Sequence, residues 1–220
     1  MNHKTARLFV DSAAAALFLL SMAYYWLGNL AHEAFGASFF AVLIWHNWRN
    51  WRWYLALTKG RYNARRIVSL LLNSSVLIAM TVLVITSFSI SRSLFEFLSL
   101  PSAYWVKEWH WFSAWWAIIA VGAHIGIQWP KLRALLRLRP TPWLWLCTLF
   151  VLPFAQDSSK ELGLFSRLSL QYSLDFWDFS QAVMPYFLYL ACVIGSIAII
   201  SHGTMVFVER LNMWRKLSGT

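Results

Sequence analysis

The chain has 220 residues, 59% hydrophobic and only 13% charged, with a mean hydropathy of +0.52. A soluble domain carries about 25% charged residues, so a soluble helical bundle of this composition would expose too much apolar surface and is excluded. The net charge of +10 would suit nucleic acid, but the cations collect in short links between apolar runs, as in a multi-pass membrane protein, and no nucleic-acid partner is expected.

Six apolar segments can be drawn in chain order. The first runs from about Leu8 to Leu27 and is too long and uniformly apolar for a signal-peptide core. The second runs from about His32 to Trp51, the third from Ile67 to Ile90, and the fourth from Trp109 to Trp129. The fifth, Pro142 to Gln156, is short and interrupted by Pro153; the sixth runs from Val183 to Val208. Runs approaching about 20 apolar residues are long enough to span a bilayer.

Lys and Arg set the orientation. Fifteen fall on one side of this arrangement: Lys4 and Arg7, the cluster from Arg49 to Arg66, the cluster from Lys131 to Arg139, and Arg210, Arg215 and Lys216. Only four, Arg92, Lys107, Lys160 and Arg167, fall on the other. The split predicts an even number of spans with both termini in the cytoplasm. Trp45, Trp48, Trp51 and Trp53 mark the inner boundary of the second span, and Trp105, Trp109 and Trp111 the outer boundary of the fourth, since indoles favour the headgroup layer. The link over 157–182 is acidic, with Asp157, Glu161, Asp175 and Asp178 against Lys160 and Arg167, and rich in Leu and Phe. It is expected to lie along the outer interface as an amphipathic segment. Cys147 and Cys192 lie inside apolar runs, where they form no zinc or iron–sulfur motif and are expected to be core thiols.

Four histidines carry the functional signal. His32 and His46 are 14 residues apart, and so are His110 and His124. Fourteen helical residues span about 21 Å and return to within about 40° of the starting direction, so each pair shares a helix face. The second and fourth spans run in the same direction, because the third lies between them. His32 and His110 therefore fall at one outer depth, and His46 and His124 at one inner depth. This is the geometry of two bis-histidine haems stacked across a membrane, whose iron leaves no open position and serves electron transfer. Single intramembrane histidines often make only interhelical hydrogen bonds; four at matched depths are a functional candidate. His202 has no partner at this spacing and is expected to be a structural donor.

Small residues let a haem approach helix backbone. Gly36 follows His32 by four, and Gly122 and Gly126 flank His124; the same residues also serve ordinary helix packing in lipid. Arg49 and Arg52, one to two turns beyond His46, are candidate partners for the inner propionates. The expected fold class is all-α: a multi-pass membrane helical bundle of six transmembrane helices with haems between the second and fourth. Residues 1–130 form the four-helix haem-binding core, and 131–220 add two helices and an extracytoplasmic amphipathic link.

Leu30–Gly36 (LAHEAFG), His46–Tyr54 (HNWRNWRWY), Lys59–Arg66 (KGRYNARR) and the stretch from His110 to Trp129 resemble the flavinylation-associated cytochromes, a prokaryotic membrane family. The resemblance covers about residues 5–130. It implies a b-type cytochrome of the cytoplasmic (inner) membrane that carries two haem b groups, with iron held by His32, His46, His110 and His124. It also implies electron transfer to an extracytoplasmic redox protein, flavin-bearing or otherwise. One position departs from the family pattern: many members carry a histidine four residues after the one matching His124, where this chain has Gln128 in IGIQW. The spacing is also similar in architecture to cytochrome b of the bc complexes and to ferric reductases.

No GxGxxG follows a strand, no CxxCH marks covalent haem, and no cytoplasmic segment is large enough for a nicotinamide or flavin domain. The chain is then expected to be an electron-transfer subunit of an oxidoreductase system rather than a complete enzyme. Its expected associates are membrane lipid, a quinol or cytoplasmic donor, quinone as a further candidate ligand, and other membrane subunits. Two other readings compete: a histidine-lined transporter, for which acids deep in the membrane are lacking because Asp11 and Glu33 lie near span ends, and a structural membrane subunit without haem.

Overall fold

A computed structural model describes residues 3–60, 62–98, 104–137, 143–171 and 183–218. Eight α-helices are seen among these residues, and no strand: α1 (His3–Ser21), α2 (Tyr24–Arg49), α3 (Arg52–Ala56), α4 (Ala64–Ile90), α5 (Tyr104–Leu135), α6 (Trp143–Glu161), α7 (Leu164–Leu168) and α8 (Val183–Ser218). The all-α expectation holds. Three helices among the described residues are long and apolar enough to cross a membrane: Tyr24–Arg49, Ala64–Ile90 and Val183–Leu211. At about 1.5 Å per residue, the 27 residues of α4 reach about 40 Å, beyond the ~30 Å of a hydrocarbon core. The chain is in this coarse sense a membrane protein in contact with lipid.

The remaining expected spans look different. The apolar part of α1 covers only Leu8–Ser21, because the helix ends at Ser21 and a turn at Met22 and Ala23 bonds back to the Leu19 and Leu20 carbonyls. The 32 residues of α5 are long enough, but six tryptophans, His110, His124 and the Lys107–Glu108 pair dilute its apolar character. It starts at Tyr104, five residues before the expected Trp109, and runs through Pro130 to Leu135. Likewise α6 continues through Pro153 to Glu161, so the first part of the expected outer link is helical. The short helix α7 follows, and residues 172–182 of that link lie outside the described residues.

The chain packs as two compact units. One comprises Met1–Arg61 and Val84–Lys107. In it α1 packs along α2, with the buried rings of Phe18 and Phe39 5.4 Å apart. Gly28 interrupts α2 with φ 80° and ψ 176°, a conformation essentially restricted to glycine. A short first turn, Tyr24–Leu27, is thereby set off from the long helix that carries His32 and His46.

The other unit comprises Tyr62–Leu83 and Glu108–Thr220. Here α6 packs along α8, and α7 folds onto α6. Ile118 of α5 and Leu190 of α8 are fully buried, and Trp115, Leu162, Tyr186 and Val193 nearly so. This apolar burial, at about 25 cal/mol per Å², holds the unit together. Arg65 and Glu209 form an ion pair at 2.6 Å between α4 and α8. The guanidinium of Arg167 lies over the Trp115 ring, 4.8 Å from its centre, and the Trp116 indole donates to the Leu168 carbonyl at 3.3 Å. The end of α7 is thus fastened to the N-terminal half of α5.

Candidate functional site

His32 lies in the first turn after the Gly28 break. Its Nδ1 is 2.7 Å from the Ser21 carbonyl oxygen. A carbonyl can only accept, so Nδ1 carries the proton. The bond has a local cause: Ser21 ends α1, and the last carbonyls of a helix lack intrahelical partners. Tyr24 packs edge-to-face on the His32 ring, 5.4 Å between centroids. The imidazole is therefore fixed on two sides.

His46 lies near the C-terminal end of α2, 14 residues on. Its Nδ1 is 2.9 Å from Oδ1 of Asp11 on α1. In the other unit, His124 of α5 has Nδ1 3.0 Å from Oδ1 of Asn73 on α4. All three rings thus present Nδ1–H to an oxygen acceptor, which leaves the lone pair of the neutral imidazole on Nε2. His110 lies six residues into α5 rather than at its start, and its own carbonyl accepts from Ser113 Oγ at 3.0 Å. All four rings are half-buried.

Among the described residues no group of three or more His, Cys, Asp or Glu could hold a metal ion. A bis-histidine haem iron needs only two protein ligands, so each ring matters by itself. Histidines that ligate metals characteristically donate their second ring N–H to a carboxylate, a carbonyl or water. His32, His46 and His124 have that donor chemistry.

Sequence reasoning did not find the acceptors. Asp11, followed by Ser12, and Asn73, followed by Ser74 and Ser75, are polar residues inside apolar runs, and that signal could have marked them. The Ser21 carbonyl had no side-chain signal, since it is offered by the end of a helix.

Beside His32, Glu33 acts as an anchor. Its Oε1 accepts from Asn29 Nδ2 and the Arg92 amide, each at 2.8 Å. Its Oε2 accepts from Ser91 Oγ at 2.8 Å, the Leu94 amide at 2.7 Å and the Ser93 amide at 3.2 Å. Three successive amides converging on one carboxylate form an anion nest. The segment leaving α4 is thereby tied to α2 one residue from His32.

The glycines divide. A Cβ on Gly36 would meet nothing within 4 Å. A Cβ on Gly122 would press on the Ile194 carbonyl at 3.1 Å and on Ile197 at 3.2 Å, and one on Gly126 would collide with the Ala198 backbone. Gly122 and Gly126 therefore serve the close approach of α5 to α8, while Gly36 leaves room beside α2. Arg49 is the last residue of α2, three beyond His46 and half-buried, and Arg52 opens α3, exposed. Gln128 is half-buried on α5.

Comparison of the chain with protein-family models, with curated proteins and with solved structures gave no match.

Proposed function

We propose that the chain is a transmembrane electron-transfer cytochrome b, with His32 and His110 holding an outer haem and His46 and His124 an inner one. The observation that supports this best is the shared Nδ1–H engagement of His32, His46 and His124, on helices where the sequence spaces the histidines equally. The pairing itself comes from that 14-residue register. Bound haem b supplies one-electron exchange at iron with both axial positions taken.

In this reading the chain's residues do three things. His32, His46 and His124 present Nε2, each held in orientation by its acceptor. Gly36 leaves space beside the helix that carries two of the ligands. Arg49 and Arg52 supply positive charge at the inner level for propionates. The chain belongs in a prokaryotic inner membrane with six crossings and both termini cytoplasmic. It takes electrons from a quinol or a cytoplasmic donor and passes them to an extracytoplasmic redox protein, a flavin-bearing one among the candidates.

One observation favours a different reading. The Asp11–His46 pair joins a carboxylate to an imidazole, as a proton path in a transporter would require. Spectroscopy separates the two. The cytochrome reading predicts a coloured detergent extract with a reduced-minus-oxidised α-band and about two extractable, non-covalent haems per chain. A colourless, haem-free protein purified from cells supplied with haem contradicts it. A periplasm-dependent reporter fused at Thr220 tests the topology; activity there would mean an odd number of crossings.

A further inference from the structure

We propose that Asp11 is a positioning residue for His46, which fixes the ring's tautomer and lowers the reduction potential of the inner centre. This inference rests on the dihaem reading above. Three acceptors are seen on the histidine Nδ1 atoms, and they differ in charge. His32 donates to a backbone carbonyl and His124 to a side-chain amide oxygen, both neutral. His46 alone of the three donates to a carboxylate, Asp11 Oδ1 at 2.9 Å.

Asp11 is the only acidic residue before Glu33, and it lies within the apolar run of α1. An ionisable group there is costly unless partnered. The one carboxylate on α2, Glu33, spends both oxygens on Asn29, Ser91 and the 92–94 amides.

A carboxylate attracts the Nδ1 proton more strongly than a neutral oxygen does. Electron density moves into the ring, and Nε2 becomes a stronger donor. A stronger axial donor favours the oxidised iron over the reduced iron. Hydrogen bonding behind the ligand is one of the protein's levers on haem potential. Asn73 is the neutral counterpart, its Oδ1 3.0 Å from His124 Nδ1. Exchanging the two chemistries should move the inner potential in opposite directions.

The test is a spectroelectrochemical titration of the purified full-length chain as wild type, Asp11→Asn and Asn73→Asp. The component lost in His46→Ala identifies the inner centre. Asp11→Asn should raise its potential by about tenfold in the one-electron equilibrium, or about 59 mV, with haem content unchanged. Asn73→Asp should lower the same component, and the outer component should stay in place in both. If Asp11→Asn fails to fold, the sign of the Asn73→Asp shift decides.

A second readout needs no haem. In haem-free protein, ¹⁵N shifts should report His46 protonated at Nδ1, moving toward the Nε2–H tautomer in Asp11→Leu. Haem-loaded variants with unmoved potentials, or an unchanged His46 tautomer in Asp11→Leu, overturn the inference while leaving the cytochrome reading intact. A wild-type protein that binds no haem overturns the cytochrome reading instead.

Discussion

Helices α2 and α5 carry the same histidine spacing in opposite surroundings. In α2 only Phe39 is buried, and a Cβ on Gly36 would touch nothing. In α5 a continuous set from Ser113 to Ile118, interrupted only at Trp116, is buried, and its glycines lie hard against α8. A histidine pair of given spacing therefore does not require one kind of helix around it. One helix is fixed by the core of its unit; the other packs along α1 through Phe18 and Phe39 and is held by the Ser21, Asp11 and Glu33 hydrogen bonds.

Four substitutions sharpen that contrast. Gly126→Val should have the largest effect, because its side chain runs into the Ala198 backbone, which cannot move without displacing α8. Overpacking of this kind costs about 3 kcal/mol or more, visible as loss of monodisperse protein or a large fall in Tm in detergent. Glu33→Gln comes next. It keeps the shape but removes the charge that holds the 92–94 amides, a loss of about 2 kcal/mol for charge-assisted hydrogen bonds. Hydrogen exchange at Arg92 and Leu94 should accelerate, while amides around Ile118 remain protected.

Gly122→Ala should cost less, about 1 kcal/mol, since its contacts, 3.1 Å to the Ile194 carbonyl and 3.2 Å to Ile197, are tight without overlapping. Gly36→Ala should have the smallest effect. The site has room, and alanine is the better helix former by about 1 kcal/mol in a helix interior, so Tm should be unchanged or slightly raised. A destabilised Gly36→Ala, or a tolerated Gly126→Val, would break the distinction between the two helices.

Much of this architecture was readable in the residues. The third and sixth spans coincide with α4 and the first part of α8, because long Leu, Ile and Val runs have no competing signal. The 14-residue histidine spacing was equally plain. The N-terminal boundary was not. The stretch from Ser21 to Gly28 is apolar and aromatic almost throughout, so nothing in its composition marks the turn at Met22–Ala23 or separates it from a span. The length of α5 was also hidden, since Pro130 and the flanking charges read as ends although the helix passes through them.

At the candidate site, the histidine positions were legible and the acceptors on their rings were not. Whether Asp11 meets His46, or Asn73 meets His124, depends on which helices are neighbours and in what rotation. That information lies in tertiary packing rather than in any local pattern. Glu33 was visible as an acid near a span end, but its role depends on backbone amides some 60 residues away.

In the proposed function four histidines hold two haems in depth-matched pairs. The most direct measurement is haem stoichiometry with low-temperature α-band spectra for His32→Ala, His46→Ala, His110→Ala and His124→Ala, each purified in detergent. The account predicts that each variant keeps about one haem of two, that His46→Ala and His124→Ala lose one spectral component, and that His32→Ala and His110→Ala lose the other. Loss of the same component in His32→Ala and His46→Ala, or no haem in the wild-type protein, would contradict it.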